Sequence, residues 1–258
     1  MSDEGTYLYA VTRSPPVAPD VSALEDGTIR LVEHRDVVAV VSDVDLADYG
    51  EDGLRTHLED IRWLEKVARG HDAVVAAAAA TGPVAPFRLA TVFFDDARMR
   101  ARLDECYPAL LRALERVEGR MEWSVKAVVP ESGDGDQASD AQPDQPADQP
   151  LSGADYLARK RDLKQEREAA ADRGAALADL LHQTLSGTVI ASRRLPAQDV
   201  RLTGHKGTMV LNAAYLVDNE ATEAFTDAVA EMRRHNPEAD IDVQGPWPPY
   251  SFATLDDP

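Results

Sequence analysis

The stretch Met121-Glu-Trp-Ser-Val-Lys-Ala-Val-Val129 places apolar side chains at every second position, with Glu122, Ser124 and Lys126 between them. This period of two is typical of a β-strand that is buried on one face only. Hydrophobic periodicity and turn residues predict the elements that follow it: a long helix over 154–185, strands over 188–192 and 208–217, a helix that begins after Asn219, and a strand over 239–243. The order β-α-β-β-α-β predicts the split βαββαβ arrangement of ferredoxin-like folds.

The residues before this strand predict a related but less regular order, β-β-β-α-β-α. The predicted elements are strands over 7–11, 28–33 and 36–42, a long helix whose apolar face runs from Leu54 to Ala78, a strand-like run over 83–94, and a helix that follows Asp95-Asp96. Pro108 lies inside the last helix and is expected to kink or split it, since proline lacks the backbone donor. We therefore expect an α+β protein with two domains: a modified ferredoxin-like domain over 1–119, and a βαββαβ-like domain over 120–258 with a long protruding helix.

An acidic insert interrupts the second domain over 131–152. Its residues 131–150 carry six carboxylates, no basic side chain and no large apolar side chain, so burial cannot offset the entropy of ordering and we expect disorder. The whole chain has a formal charge of −19 in 258 residues, which opposes binding to nucleic acid or to an anionic membrane surface. The longest apolar run, 73–80, is too short to span a bilayer, and the acidic N-terminus does not resemble a signal peptide, so we expect a cytoplasmic protein.

Signatures of catalysis and metal binding are absent from the sequence. The HExxH, GxSxG, P-loop and GxGxxG motifs do not occur, and the single cysteine, Cys106, excludes a disulfide within the chain and CxxC-type sites. His71 lies on the apolar face of its predicted helix, where a core histidine bonded to a carbonyl or carboxylate is favoured over a ligand or an acid–base group. We therefore predict no catalytic, cofactor-binding or metal-binding residue.

Basic side chains in unusual surroundings are candidates for partner binding. Arg88 lies within an apolar run, where its guanidinium must pair with a carboxylate or face solvent. Either it forms an ion pair within the chain or it contacts a partner protein. Arg193 and Arg194 begin a basic island that extends to Lys206. The island is either a solvated loop or a dock for an acidic segment, which could be the chain's own insert.

The C-terminal stretch Gly245-Pro-Trp-Pro-Pro-Tyr-Ser-Phe252 is a further candidate, because its prolines stiffen it and it carries the aromatic side chains Trp247, Tyr250 and Phe252. It either packs back onto its own domain or docks onto a partner. The charged part of the long helix, 156–170, has a narrow apolar seam. This part either packs on another helix of the same chain or offers a surface to partner helices.

Several of these stretches together resemble the GvpL/GvpF family of gas vesicle proteins. They are Thr6-Tyr-Leu-Tyr-Ala-Val11, Gly70-His71, Gly119-Arg-Met-Glu-Trp-Ser-Val-Lys126, Tyr156-Leu-Ala-Arg-Lys160 and, most specifically, the G-P-W-P-P-Y-S-F stretch at 245–252. They occur in the family's order over nearly the whole chain. The family's central P-x-R-F-G-T motif is matched at Pro86, Arg88 and Thr91, whereas Leu89-Ala90 stand in place of Phe-Gly.

The resemblance implies an accessory protein of gas vesicle formation with two α+β domains, the first ferredoxin-like, and no attributed catalysis. It also implies contacts with the small hydrophobic shell protein and with other gas vesicle accessory proteins. We expect a chaperone-like or nucleating scaffold that holds shell subunits and presents them to a growing edge. Two alternatives stay open: a small-molecule-binding or enzymatic ferredoxin-like protein with His71 and Arg88 lining its pocket, and a permanent constituent that strengthens the vesicle.

Overall fold

The computed structural model describes residues 4–13, 22–24, 27–57, 59–130, 153–197 and 207–253, with side chains from 157 onward in the helix that begins at 153. The predicted acidic insert 131–152 and the basic-island members Arg201, His205 and Lys206 lie outside the described residues. The chain divides into two compact units. Unit 1 comprises residues 1–123, 216–222 and 245–258, and unit 2 comprises residues 124–215 and 223–244. Two C-terminal pieces of the chain thus group with the N-terminal unit, whereas the sequence alone suggests a single boundary after residue 119.

The first half of the chain forms an antiparallel sheet and four helices. Its elements are β1 (Glu4–Thr12), β2 (Arg30–His34), β3 (Val37–Asp45), α1 (Leu46–Tyr49), α2 (Glu51–His57), α3 (Ile61–Ala79), β4 (Val84–Pro86), β5 (Val92–Phe93) and α4 (Asp96–Val117). The strand order is β2-β3-β1-β4, and β5 also pairs with β1. This is the order of a ferredoxin-like sheet, and the fold is a modified one because the described residues between β1 and β2 form no α-helix.

The second half of the chain forms a four-stranded sheet with the same order. Its elements are β6 (Arg120–Val129), α5 (Gly153–Ser186), β7 (Ala191–Arg194), β8 (Thr208–Asp218), α6 (Thr222–His235) and β9 (Asp240–Trp247). The strand order β7-β8-β6-β9 is the one that a βαββαβ chain gives in a ferredoxin-like fold. The predicted α+β class is therefore confirmed, and the element order from β6 onward follows the prediction.

The helix predicted to carry one apolar face from Leu54 to Ala78 is in fact two helices. The first, α2, ends at His57, and α3 begins at Ile61. The side chain of Asp60 accepts hydrogen bonds from the backbone N–H groups of Arg62 (2.9 Å) and Trp63 (3.4 Å). Because an N-cap satisfies the free donors of a new first turn, Asp60 starts a second helix where the apolar period alone predicts continuity.

Pro108 does not split its helix. The helix α4 runs without interruption over 22 residues, from Asp96 to Val117. Apolar side chains on both sides of Pro108, including Leu103, Leu110 and Leu114, are fully buried. Their burial stabilises α4 on each side of the missing backbone donor and outweighs its loss.

The apolar run over 83–94 is not one strand. It forms β4, a turn over 87–91 and the two-residue strand β5. Within the turn, Ala90 has a φ of 60°, in the left-handed region that interrupts strand geometry. The prediction of a continuous strand was therefore wrong, because a single residue with positive φ turns the chain away from β1 and back again.

Candidate interaction surface

The turn over 87–91 is fixed to the neighbouring strand β1 by backbone hydrogen bonds. The N–H of Phe87 donates to the carbonyl of Tyr9 (2.9 Å), and the N–H of Leu8 donates to the carbonyl of Thr91 (2.9 Å). Inside the turn, the hydroxyl of Thr91 donates to the carbonyl of Arg88 (2.7 Å). The backbone of the turn is therefore held against β1 at both ends.

Two exposed side chains of this turn, Arg88 and Leu89, lie close in sequence to two more at the start of α4. Phe94 follows β5 directly and is 70% exposed. The guanidinium carbon of Arg98, which is also exposed, lies 5.7 Å from the centroid of the Phe94 ring, within the range of a cation–π contact. We call Arg88, Leu89, Phe94 and Arg98 the turn surface; it presents two apolar and two cationic side chains.

Arg88 has the environment of a solvent-exposed side chain rather than that of an internal ion pair. Its side chain is exposed, and no carboxylate among the described residues forms an ion pair with it. Of the two alternatives that the sequence left open, the structure therefore favours contact with a partner or with solvent.

Ala90 occupies the position of the glycine in the P-x-R-F-G-T motif, and its φ is positive. Substitutions at Ala90 therefore test how much strain this φ imposes. We expect Ala90→Gly to raise the free energy of unfolding slightly, by about 0.5 kcal/mol, because relief of the left-handed strain exceeds the added entropy of the unfolded chain. Ala90→Val should lower it by about 2 kcal/mol, since a β-branched side chain tolerates positive φ poorly. Urea denaturation of the three proteins measures both changes. A loss of stability in Ala90→Gly would contradict the positive φ.

Beneath the turn lies a buried cluster of Tyr7, Tyr9 and His71. The hydroxyl of Tyr7 lies 3.0 Å from Nδ1 of His71 and accepts a hydrogen bond from the N–H of Ala90 (2.9 Å). Burial lowers the pKa of His71 and raises the pKa of Tyr7, which keeps both groups neutral. Both side chains are almost completely buried, and they support the turn from below. His71 is thus buried in the core, as the sequence favours, but the partner of its Nδ1 is a phenol where a carbonyl or carboxylate was expected.

The C-terminal residues 245–253, which we call the tail, pack onto unit 1. The hydroxyl of Tyr250 donates to Oδ1 of Asp72 in α3 (2.8 Å). The N–H and the hydroxyl of Ser251 donate to the two carboxylate oxygens of Glu122, at 2.7 Å and 2.6 Å. Burial, and then the hydrogen bond to Asp72, raise the pKa of Tyr250. The tail is thus an integral part of unit 1, held by two carboxylates.

The aromatic side chains of the tail have different environments. Phe252 is only 7% exposed and packs within its own unit, and Tyr250 is half-buried, so neither has much surface to offer a partner. Trp247 is 52% exposed. The partner-binding role that we predicted for these three residues stays a prediction, and Trp247 is the one with surface available.

The described part of the basic island belongs to unit 2. Arg194 donates to Oδ1 of Asp179 (2.7 Å) and to the carbonyl of Ala178 (3.3 Å), both in α5. Arg193 is exposed in the same strand, β7. The ion pair of Arg194 within unit 2 reduces its availability for an acidic partner, and the partner-binding role of both arginines stays a prediction.

Three residues of these surfaces were missed in the sequence. Phe94 and Arg98 stand on either side of the N-cap Asp95, which accepts from the N–H of Arg98, and an aromatic residue directly before an N-cap is a signal that could have identified them. Glu122 was assigned to the polar face of β6, yet it is buried together with Trp123. No local pattern reveals this, because the tail that covers Glu122 is 129 residues away in the sequence.

A cleft in unit 1 tests the small-molecule alternative. It has a volume of about 310 Å³ and is lined by the ends of α3 and α4 and by residues that include Arg120 and Asn219. The Arg120 guanidinium is already engaged with Asp218 (2.8 Å) and with the last carbonyls of α4. Neither His71 nor Arg88 lines this cleft, so the pocket expected from them is not formed there.

In the part of the chain that the structure describes, no cluster of three potential metal ligands occurs.

Comparison with known proteins places this fold among gas vesicle proteins. The family model described as gas vesicle synthesis protein GvpL/GvpF matches residues 5–254. Gas vesicle protein L of Streptomyces sp. (strain CB03234) is 40% identical over 98% of this chain and 94% of its own length. Gas vesicle protein F of the same strain is 28% identical over 96% of this chain and 98% of its own length. The crystal structure of GvpF from Anabaena sp. PCC7120 superimposes with a TM-score of 0.72 at 18% identity and covers 98% of both chains. Among the described helices, none has the length and apolar character to cross a bilayer.

Proposed function

Since the chain belongs to the GvpL/GvpF family and therefore has an accessory role in gas vesicles, we propose that it binds the small hydrophobic shell protein during assembly. We place this contact on the turn surface. Binding to other gas vesicle accessory proteins, and association with vesicles in the cytoplasm, belong to the same proposal.

The observation that carries the proposal is the combination of exposure and rigidity in the turn surface. Arg88 and Leu89 are exposed on a turn that β1 holds by backbone hydrogen bonds, and Phe94 is exposed just after β5 with the Arg98 guanidinium near its ring. A rigid apolar patch binds an apolar partner at a low entropic cost, because little ordering is needed on its side of the interface. The flanking guanidinium groups can bind carboxylates or backbone carbonyls at the rim of the contact.

The charge of the chain suits a protein that holds an aggregation-prone subunit. At −19, complexes of this protein repel one another, which keeps a bound apolar subunit dispersed. An acidic carrier with an exposed apolar surface would therefore deliver shell subunits without precipitating with them.

The test is co-expression of the tagged protein with the major shell protein, followed by affinity purification and quantification of the retained shell protein. We expect the double variant Leu89→Ser, Phe94→Ser to retain at least about tenfold less shell protein, as expected when the apolar centre of an interface is removed. The matched control is Ile61→Ser, which removes another strongly exposed apolar side chain of unit 1, 78% exposed, outside the turn surface.

The outcomes separate the role from its location. If the double variant retains as much shell protein as the wild-type protein does, the shell protein docks elsewhere. If neither the shell protein nor any accessory protein is retained by the wild-type chain, the binding role itself is wrong. Equal losses in the double variant and in Ile61→Ser would show that exposed apolar area alone governs retention.

A further inference from the structure

The described residues 157–169 of α5 are exposed on every face of the helix. Each described side chain from Leu157 to Ala169 is exposed, and the first buried residue along the helix is Gly174. The 17 residues of 157–173 extend for about 25 Å at the rise of an α-helix. Helices of this length have marginal stability in water on their own, so their persistence in proteins normally depends on packing against a partner element.

The exposed half of α5 carries a cationic face. Between Arg159 and Arg167 there are five basic residues and two acidic ones, a local net charge of +3 in a chain of −19. Helical spacing puts Lys160, Lys164 and Arg167 on one face, with Arg161 at its margin. We call these four residues the basic stripe.

The side chains around the basic stripe leave it positively charged and place leucines beside it. Asp162 and Glu166 lie on the opposite face of the helix by the same spacing. Lys164 contacts Glu168 at 3.7 Å, but both side chains are largely exposed, so this pair leaves most of the positive potential in place. Leu157, which is exposed, lies on the same side as the stripe, and Leu163, also exposed, lies at its edge.

We infer that the basic stripe docks an acidic amphipathic helix of a partner protein. A partner helix lying alongside α5 would present carboxylates at the same i, i+4, i+7 spacing, so that Lys160, Lys164 and Arg167 each face one carboxylate. The exposed leucines supply the apolar contact that two helices need to pack. A second copy of this chain does not fit, because two basic stripes would face each other with like charge. The inference uses α5 alone and does not depend on where the shell protein binds.

The experiment measures binding of a defined probe to the full-length protein. The probe is a fluorescently labelled synthetic helix with glutamates at i, i+4 and i+7 beside a leucine stripe. Its binding is measured by fluorescence anisotropy at low salt. The test variant is Lys160→Glu with Lys164→Glu. The matched control is Arg159→Glu with Arg173→Glu, which makes the same change in net charge on the same helix, at exposed positions outside the basic stripe. Circular dichroism checks that α5 stays helical, and the milder pair Lys160→Gln with Lys164→Gln substitutes for the test variant if it does not.

We expect the test variant to bind the probe at least about tenfold more weakly than the wild-type protein, and the control less than about threefold more weakly. Added salt should weaken binding of the probe to both variants. Equal weakening by the two variants would overturn the inference, since only the total charge would then matter. Absence of binding to the wild-type protein would also overturn it. So would binding of duplex DNA or of anionic phosphatidylglycerol vesicles in place of the acidic helix, because the stripe would then serve another class of anion.

Discussion

Replacing Glu122 with alanine is expected to lower the free energy of unfolding by about 3 kcal/mol and to release the tail from unit 1. The Glu122 carboxylate is buried and accepts two short hydrogen bonds from Ser251. Without it, the N–H and the hydroxyl of Ser251 lose a charged acceptor in a place from which water is largely excluded. Chemical denaturation measures the loss, and hydrogen exchange at the Ser251 amide measures the release of the tail.

Two further variants separate the contributions to this effect. Ser251→Ala removes only the hydroxyl bond and should cost about 1 kcal/mol, leaving the amide bond and the protection of the Ser251 amide in place. Glu118→Ala removes an exposed carboxylate at the end of α4 and should change stability by less than about 0.5 kcal/mol. If Glu122→Ala were no more destabilising than Glu118→Ala, the tail would not depend on this carboxylate.

Gly245→Ala should also lower the free energy of unfolding by about 3 kcal/mol. Gly245 has a φ of 143°, a conformation open almost only to glycine. A Cβ atom there would lie 3.0 Å from the carbonyl oxygen of Glu122 and 3.0 Å from two ring atoms of Trp123, whose side chain is buried. The added methyl group therefore combines backbone strain with a contact that neither neighbour can easily relieve. Thermal and chemical unfolding measure the change.

The control for this substitution is Gly82→Ala. A methyl group added to Gly82 would meet no heavy atom within 4 Å, and the φ of Gly82 is not positive, so alanine should be neutral or slightly stabilising there. A similar stability for Gly245→Ala and Gly82→Ala would show that the backbone at 245 relaxes and that the start of the tail is not tightly fitted.

The sequence predicted the parts of the fold in which local pattern and burial agree. The alternation in β6 and the apolar run of β8 placed two central strands, and the order of elements after Met121 then restricted the sheet to a ferredoxin-like arrangement. The helix boundaries were less predictable where a cap decides them: Asp60 starts α3 inside an unbroken apolar period. Pro108 does not split its helix for the opposite reason, since tertiary burial overrides a local break.

The candidate surfaces were only partly predictable, because contacts distant in sequence decide which side chains are exposed. Arg88 was identified as an unusual residue, but its presentation depends on hydrogen bonds between its turn and β1, which no local pattern encodes. The tail packs onto unit 1, one of its two predicted alternatives, through Asp72 and Glu122, which no local pattern identifies as its partners, whereas docking of a partner onto the tail stays a prediction. Family membership was recognisable from the tail motif and is confirmed by the match over residues 5–254.

The tail completes unit 1 with residues that leave the ribosome long after most of that unit has been translated. While the middle of the chain is being synthesised, Asp72 and Glu122 have no tail to bind, and the surface beneath it stays open to solvent. A nonsense codon or proteolytic trimming before residue 245 therefore removes a piece of the N-terminal unit rather than a dispensable end. Translation through the tail is in this way a condition for a finished first unit, and a nascent chain that stalls in the second half carries an incomplete first half.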